Sequence, residues 1–137
     1  MDSNFGNIKF AVGTDDKLTY SADHFGSAQF FLIYTLNLQT KEIKLQKTIV
    51  NKTPEEHRHG DPQKALSIST LLQGIPVLIG RYMGKNITRI RKKFIPIIAS
   101  FDLIDKSLVI LPDIIPEIRS ELEKPGGIPK KIIHLRS

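Results

Sequence analysis

The feature that most restricts the fold is the order in which the chain changes its apolar period. "NIKFAVGTD" sets Ile8, Phe10 and Val12 against Lys9, Ala11 and Gly13, the two-residue period of a strand. "AQFFLIYTL" is apolar on both alternating sets, Phe30, Leu32, Tyr34 and Leu36 against Phe31 and Ile33, which predicts a strand covered on both faces. "EIKLQKTIV" places Ile43, Leu45 and Ile49 on one side and mostly polar groups on the other, as suits a strand near an edge, where lysines discourage unwanted pairing. The connections between these three runs are short, so the strands form an antiparallel meander.

Beyond Val50 the period lengthens. Asp61 and Pro62 read as an N-cap and first-turn pair, Ala65, Leu66, Ile68 and Leu72 have helical spacing, and Gly74 stops the helix. A buried strand, "PVLIG", follows. Met83, Ile87, Ile90 and Phe94 then recur at i, i+4, i+7 and i+11, with Lys85, Arg89 and Lys92 on the opposite side, which predicts an amphipathic helix over 84–94 with a basic outer stripe. "FIPIIA" is the fifth strand. Each helix returns the chain to start the next strand parallel to the first. The expected fold is a single α/β domain over residues 1–123, with a mixed five-stranded sheet in the order 3-2-1-4-5 and helices on its faces. A last helix is expected after Pro116, and residues 124–137 read as a turn and an extended tail.

Length and composition agree with one domain. A chain of 137 residues, 40% of them hydrophobic, buries one core and is short for two. No stretch approaches the roughly 18 apolar residues of a membrane span, and "MDSNFGNIKF" has neither the basic start nor the apolar centre of a signal peptide, so a cytoplasmic location is expected and no membrane partner. The absence of cysteine excludes disulfides and thiolate-held metal sites. Any metal must therefore use nitrogen, oxygen or thioether ligands.

The net charge of +6 is uneven: residues 61–100 carry seven basic side chains and one acidic, residues 101–123 two and six, and residues 124–137 four and none. Such a field attracts anions of several kinds. The topology brings four loops to the carboxyl edge of the parallel strands, where ligands of open α/β sheets bind. They carry His24 after strand 1, His57 and His59 after strand 3, and Arg81, Met83, Gly84 and Lys85 after strand 4, with the end of strand 5 as the fourth. Arg81 and Lys85 are the candidates for holding an anion, with backbone N–H groups at a helix start beside Gly84. Met83 opens the apolar stripe of its helix, so packing is favoured over thioether ligation. His57 and His59, two apart, face one way only in an extended segment and make a weak metal pair by themselves.

Other classes fare worse. A two-metal nuclease needs carboxylates clustered on several strands, but Asp15 and Asp16 end strand 1 and strands 2, 4 and 5 supply none. No nucleophile with a positioned base is evident, so an enzyme is not expected. Anion or nucleic-acid binding through the basic helix 84–94 is the alternative, though no exposed aromatics interleave its lysines and nucleic acid is the less favoured partner.

"SADHFGSAQFFLIY", the "HRHGDPQKAL" loop and "VLIGRYMGKNITRI" together resemble the signature regions of the dinitrogenase iron-molybdenum cofactor biosynthesis family, over roughly residues 7–100. The resemblance implies a ribonuclease H-like motif and a carrier of iron-sulfur or iron-molybdenum clusters or their precursors. It marks His24, Phe25 and Gly26, then His57, His59 and Gly60, then Gly80, Met83 and Gly84. Of these, His24, His57 and His59 are the implied metal ligands, and Phe25, Gly26, Met83 and Gly84 the implied contacts of the cluster. Arg81 and Tyr82 stand where two glycines are common in the family, and the segment after Ser100 is longer than the family ending. The implied partners are proteins that donate or accept the cluster, and a homodimer is allowed.

Overall fold

A computed structural model describes residues 6–52 and 62–136. Strands β1 (Asn7–Thr14), β2 (Phe30–Asn37) and β3 (Ile43–Val50) form the expected meander. They are followed by α1 (Pro62–Leu71), β4 (Val77–Gly80), α2 (Ile87–Ile90), β5 (Ile95–Ala99), α3 (Ile104–Ile110), α4 (Ile115–Leu122) and β6 (Ile133–Leu135). The sheet order is β3-β2-β1-β4-β5-β6, with β4 parallel to β1, β5 to β4 and β6 to β5. The expected order thus holds for five strands, and a sixth extends it. Among the described residues no helix is long and apolar enough to cross a membrane.

Each face of the sheet buries one of the alternating sets seen in the sequence. Phe10, Val12, Leu32, Tyr34, Leu36, Ile79, Ile97 and Ile133 share a core with Ile104, Leu111, Ile115 and Ile118 from the chain between β5 and β6. Ala11, Phe31, Ile33 and Leu78 share the other with Ile68 and Leu72 of α1, Ile90 of α2, and Phe25, Met83 and Phe94. The rings of Phe10 and Tyr34, paired across β1 and β2, stack with centroids 5.1 Å apart. Among the described residues, strand β3 is exposed along most of its length, so the lysines at 44 and 47 stay in water at the sheet edge.

Three expectations are corrected. The stripe from Met83 to Phe94 is not one helix: only Ile87–Ile90 is helical, and Met83, Ile90 and Phe94 reach a common core from a turn, a helical turn and the approach to β5. Gly84, at φ +73°, is incompatible with helix there. A helix is present at Ile104–Ile110, where none was expected, joined by a 3-10 turn at Leu111–Ile114 to α4. Pro112 and Pro116 do not break this segment, because both stand at the first positions of their elements, where a missing N–H is harmless. Finally, residues 124–137 are no tail. Ile133 and Leu135 are buried against the first core, and the approach to β6 is latched by Glu121, whose carboxylate accepts the Lys131 N–H and the Lys124 ammonium, each at 2.6 Å. Burial alone would raise the Glu121 pKa, but the Lys124 hydrogen bond, the Lys131 N–H and the neighbouring ammonium charges outweigh it and hold it below the usual range.

Two outcomes follow for stability. Ile133→Ala, negligible in a free tail, should cost about 2–5 kcal/mol in denaturant unfolding, because the methyl groups it removes are fully enclosed. In the loop after β1, Asp16 accepts hydrogen bonds from the Thr19 and Leu18 N–H groups and the Thr19 hydroxyl, which lower its pKa to about 2. A depressed carboxyl stabilises the fold above its ordinary value of 3.8 and loses that contribution as the pH falls through the folded value. Asp16→Asn should therefore be less stable than the parent at neutral pH, and the gap should close between about pH 4 and about pH 2.

Candidate functional site

The carboxyl ends of β1, β4 and β5 deliver three loops to one edge. The loop after β1 is long, and its two stems are pinned by Asp15, which accepts the Ser21 hydroxyl at 3.1 Å and the Gln29 N–H at 2.9 Å. Its tip is a 3-10 turn at Phe25–Ser27. Phe25 is 1% exposed and stacks on Phe31 with centroids 4.9 Å apart. A Cβ at Gly13 would stand 3.2 Å from the Phe25 ring, and one at Gly80 would stand 3.4 Å from it. The ring therefore lies over the ends of β1 and β4, where the strands carry no side chains to oppose it. Enclosing such a ring stabilises by about 1.5–3 kcal/mol.

With Phe25 seated, its neighbour is placed. The Phe25 N–H donates to the Tyr82 carbonyl at 2.7 Å, fastening the tip of the first loop to the turn after β4. His24 precedes the 3-10 turn, its N–H donating to the Asp23 carboxylate at 2.7 Å, and its half-buried ring lies against Gly84. A Cβ on Gly84 would sit 2.8 Å from His24 Nδ1 and 2.9 Å from Cγ, so no side chain fits there without moving the ring. The positive φ at Gly84 makes the same demand through the backbone.

The remaining expected residues divide. Gly26 is held from outside: the Asn51 amide donates to the carbonyls of Gly26 and Ala28 at 2.9 and 2.7 Å, and the Asn51 N–H donates to Gln29 at 2.9 Å. Met83 is 5% exposed and packs into the core around Phe25, so its thioether faces inward, as the packing reading expected. The Phe25 side chain likewise lies under the loop and does not line the surface. Lys85 is exposed beside Gly84. Arg81 is paired with Asp102 of the loop after β5, and its guanidinium lies 5.5 Å from the centre of the Tyr82 ring. The expected helix start at Met83 and Gly84 is absent, since α2 begins at Ile87. His57 and His59 lie outside the described residues. Among the described residues no three histidine, aspartate or glutamate side chains gather as a metal site.

Sequence reasoning missed Asn51, Asp15 and Asp102. Asn51 directly follows the last residue of a strand, where an amide often ties a loop, and that position was a readable signal. Nothing in the local sequence pairs Asp102 with Arg81; the pairing exists because β4 and β5 are neighbours. The third loop is joined to the first by the Tyr20 N–H donating to the Asp102 carbonyl at 2.9 Å and the Ile104 N–H donating to the Leu18 carbonyl at 3.1 Å. Behind that joint the Tyr20 hydroxyl is buried against the Ser107 hydroxyl, and burial pushes the Tyr20 pKa up. A cleft of about 620 Å³ lies elsewhere, at the amino ends of the parallel strands.

The edge thus presents an imidazole fixed on a glycine, with one paired and one exposed cation beside it. No curated protein matches the chain. The family model described as dinitrogenase iron-molybdenum cofactor matches residues 6–103, which include all three loops and well over half of the sequence. The chain therefore belongs to the dinitrogenase iron-molybdenum cofactor family.

Proposed function

We propose that the protein is a non-catalytic carrier of an anionic iron-molybdenum or iron-sulfur type cluster or precursor, held at the carboxyl edge and exchanged with donor and acceptor proteins in the cytoplasm. The observation that carries this reading is the His24 ring resting on Gly84. A ring whose place is set by the shape of its neighbour needs no metal to position it, which suits a cargo that arrives with most of its coordination already filled. His24 would supply one nitrogen ligand, and His57 or His59 a further one.

Charge supports the same reading. Lys85 is exposed, and the pair of Arg81 with Asp102 lies at the surface, with the aspartate side chain 74% exposed. Surface pairs of this kind contribute about 0–1 kcal/mol, so a cargo of higher charge can draw Arg81 away from Asp102 at little cost.

The test is anaerobic reconstitution with iron, sulfide and molybdate, followed by gel filtration and metal analysis of the protein fraction. The parent should retain metal. His24→Ala should lose most of it with little change in melting temperature, since a half-buried loop imidazole contributes little to the core. Equal retention by His24→Ala would remove the ligand role. Gly84→Ala should also lose metal, because its methyl group displaces the ring, and should cost about 1 kcal/mol or more from the positive φ. Met83→Leu keeps volume and apolarity, so it should bind normally and cost less than about 1.5 kcal/mol. Loss of binding in a folded Met83→Leu protein would make the sulfur a ligand.

A further inference from the structure

The cleft of about 620 Å³ lies at the end of the sheet opposite His24. One wall is the second half of α1, with Leu66, Thr70 and Gln73; the other is Lys93 and Phe94, where the chain enters β5; Ile75 closes the end. Leu66 is 62% exposed, the largest apolar group left uncovered on α1, while Phe94 and Ile75 show only their edges. The lining is therefore mixed, with Leu66 as its exposed apolar group, Ser69, Thr70 and Gln73 as polar ones, and a lysine at the mouth.

The positive charge continues outward from that mouth. The Arg91 side-chain Nε–H donates to the Lys130 carbonyl at 2.6 Å and the Lys130 N–H donates to the Arg91 carbonyl at 2.7 Å, so the segments entering β5 and β6 lie side by side. Two basic stretches far apart in sequence, 91–93 and 130–131, become one surface. Lys92, Lys93 and Lys131 are exposed on it. The Lys130 ammonium is turned inward onto the Glu121 carbonyl at 2.9 Å, and the Glu121 carboxylate is occupied by Lys124 and the Lys131 N–H. From residue 62 to residue 101 the sequence has no aspartate or glutamate, so no carboxylate of that stretch opposes this field.

We infer that this cleft docks an acidic segment of a partner protein, with an apolar side chain of the segment against Leu66 and its carboxylates on Lys92, Lys93 and Lys131. Charge complementarity selects an anionic occupant, and the exposed Leu66 among side chains that can hydrogen-bond selects a peptide over a phosphate backbone. A single-stranded nucleic acid needs exposed rings on which bases stack, and the aromatic of this cleft, Phe94, is 5% exposed. The surface is separate from the proposed cluster site, since it lies where the chain enters β4 and β5, whereas His24 lies at the carboxyl edge.

The experiment uses the whole chain and a fluorescein-labelled peptide of glutamates flanking a central pair of leucines, read by fluorescence anisotropy at physiological ionic strength. Saturable binding is expected, weakened by about tenfold or more in Lys93→Glu and, separately, in Leu66→Ser. Both positions are exposed, so melting temperatures and metal retention after reconstitution should stay at the parent values. The same peptide without leucines should bind no better than Leu66→Ser binds the original. No saturable binding, loss in Lys93→Glu but not in Leu66→Ser, or tighter binding of a thymidine oligonucleotide than of the peptide would each overturn the inference. The first leaves no docking site, the second a charged surface only, and the third a nucleic-acid surface.

Discussion

The Phe25 ring, closed between the glycines that end β1 and β4, is the contact on which the carboxyl edge depends. Its position requires that Gly13 and Gly80 carry no Cβ, and it fixes the loop tip so that the Phe25 N–H meets Tyr82. His24 has little freedom of its own once that contact is made. An isolated loop of this length would sample many arrangements, and ordering each backbone residue costs about 1–2 kcal/mol. Burial of one aromatic offsets only part of that. The rest comes from Asp15 at the loop stems, Asn51 at the tip and the joint with the loop after β5. Asp15 and Asn51 hold the loop backbone with side chains that follow β1 and β3, and the joint with the loop after β5 is made backbone to backbone, so the loop that carries His24 is tied at three strand ends.

The charge distribution follows the same division into edges. Acidic residues are concentrated at 101–123, on the helices that cover the first core, and meet the basic stretches at two places. At one, Arg81 pairs with the exposed Asp102; at the other, the buried carboxylate of Glu121 receives Lys124 and the Lys131 backbone. The two differ physically. The first lies in water and is readily exchanged, whereas the second is enclosed, and removing one partner would strand a buried charge. The exchangeable pair stands beside the candidate site, and the fixed one holds the sixth strand.

Much of this was legible because strand periods survive in sequence without knowledge of partners. Phe10, Val12, Phe31 and Leu32 declare their faces by alternation, and the order of strands follows from short connections and parallel crossovers. Local pattern misled where it was produced by tertiary packing. Met83, Ile87, Ile90 and Phe94 share a face because the same core attracts them, and the positive φ of Gly84 was invisible to periodicity. The helix at Ile104–Ile110 was hidden by Val109, 79% exposed among apolar neighbours, and by prolines that look like breakers but open the next elements. Three residues of β6 gave too short a run to read. At the site, His24 and Gly84 were recognisable singly; their contact, and the roles of Asn51 and Asp102, arise only from strand neighbours.

The two edges lie at opposite ends of the same short strands. β4 has four residues, so at about 3.3 Å per residue the His24 edge and the amino-edge cleft are separated by roughly the length of a strand plus its two turns, well beyond the range in which side-chain effects usually couple. A partner docked at the cleft would therefore leave the carboxyl edge uncovered. Such an arrangement lets a carrier stay attached to one protein while its cargo is presented to another, and it separates the affinity for the partner from the affinity for the cargo. Coupling between the two would have to run through the core that Phe25 shares with Ile75 and Phe94, and a close-packed core resists such movement.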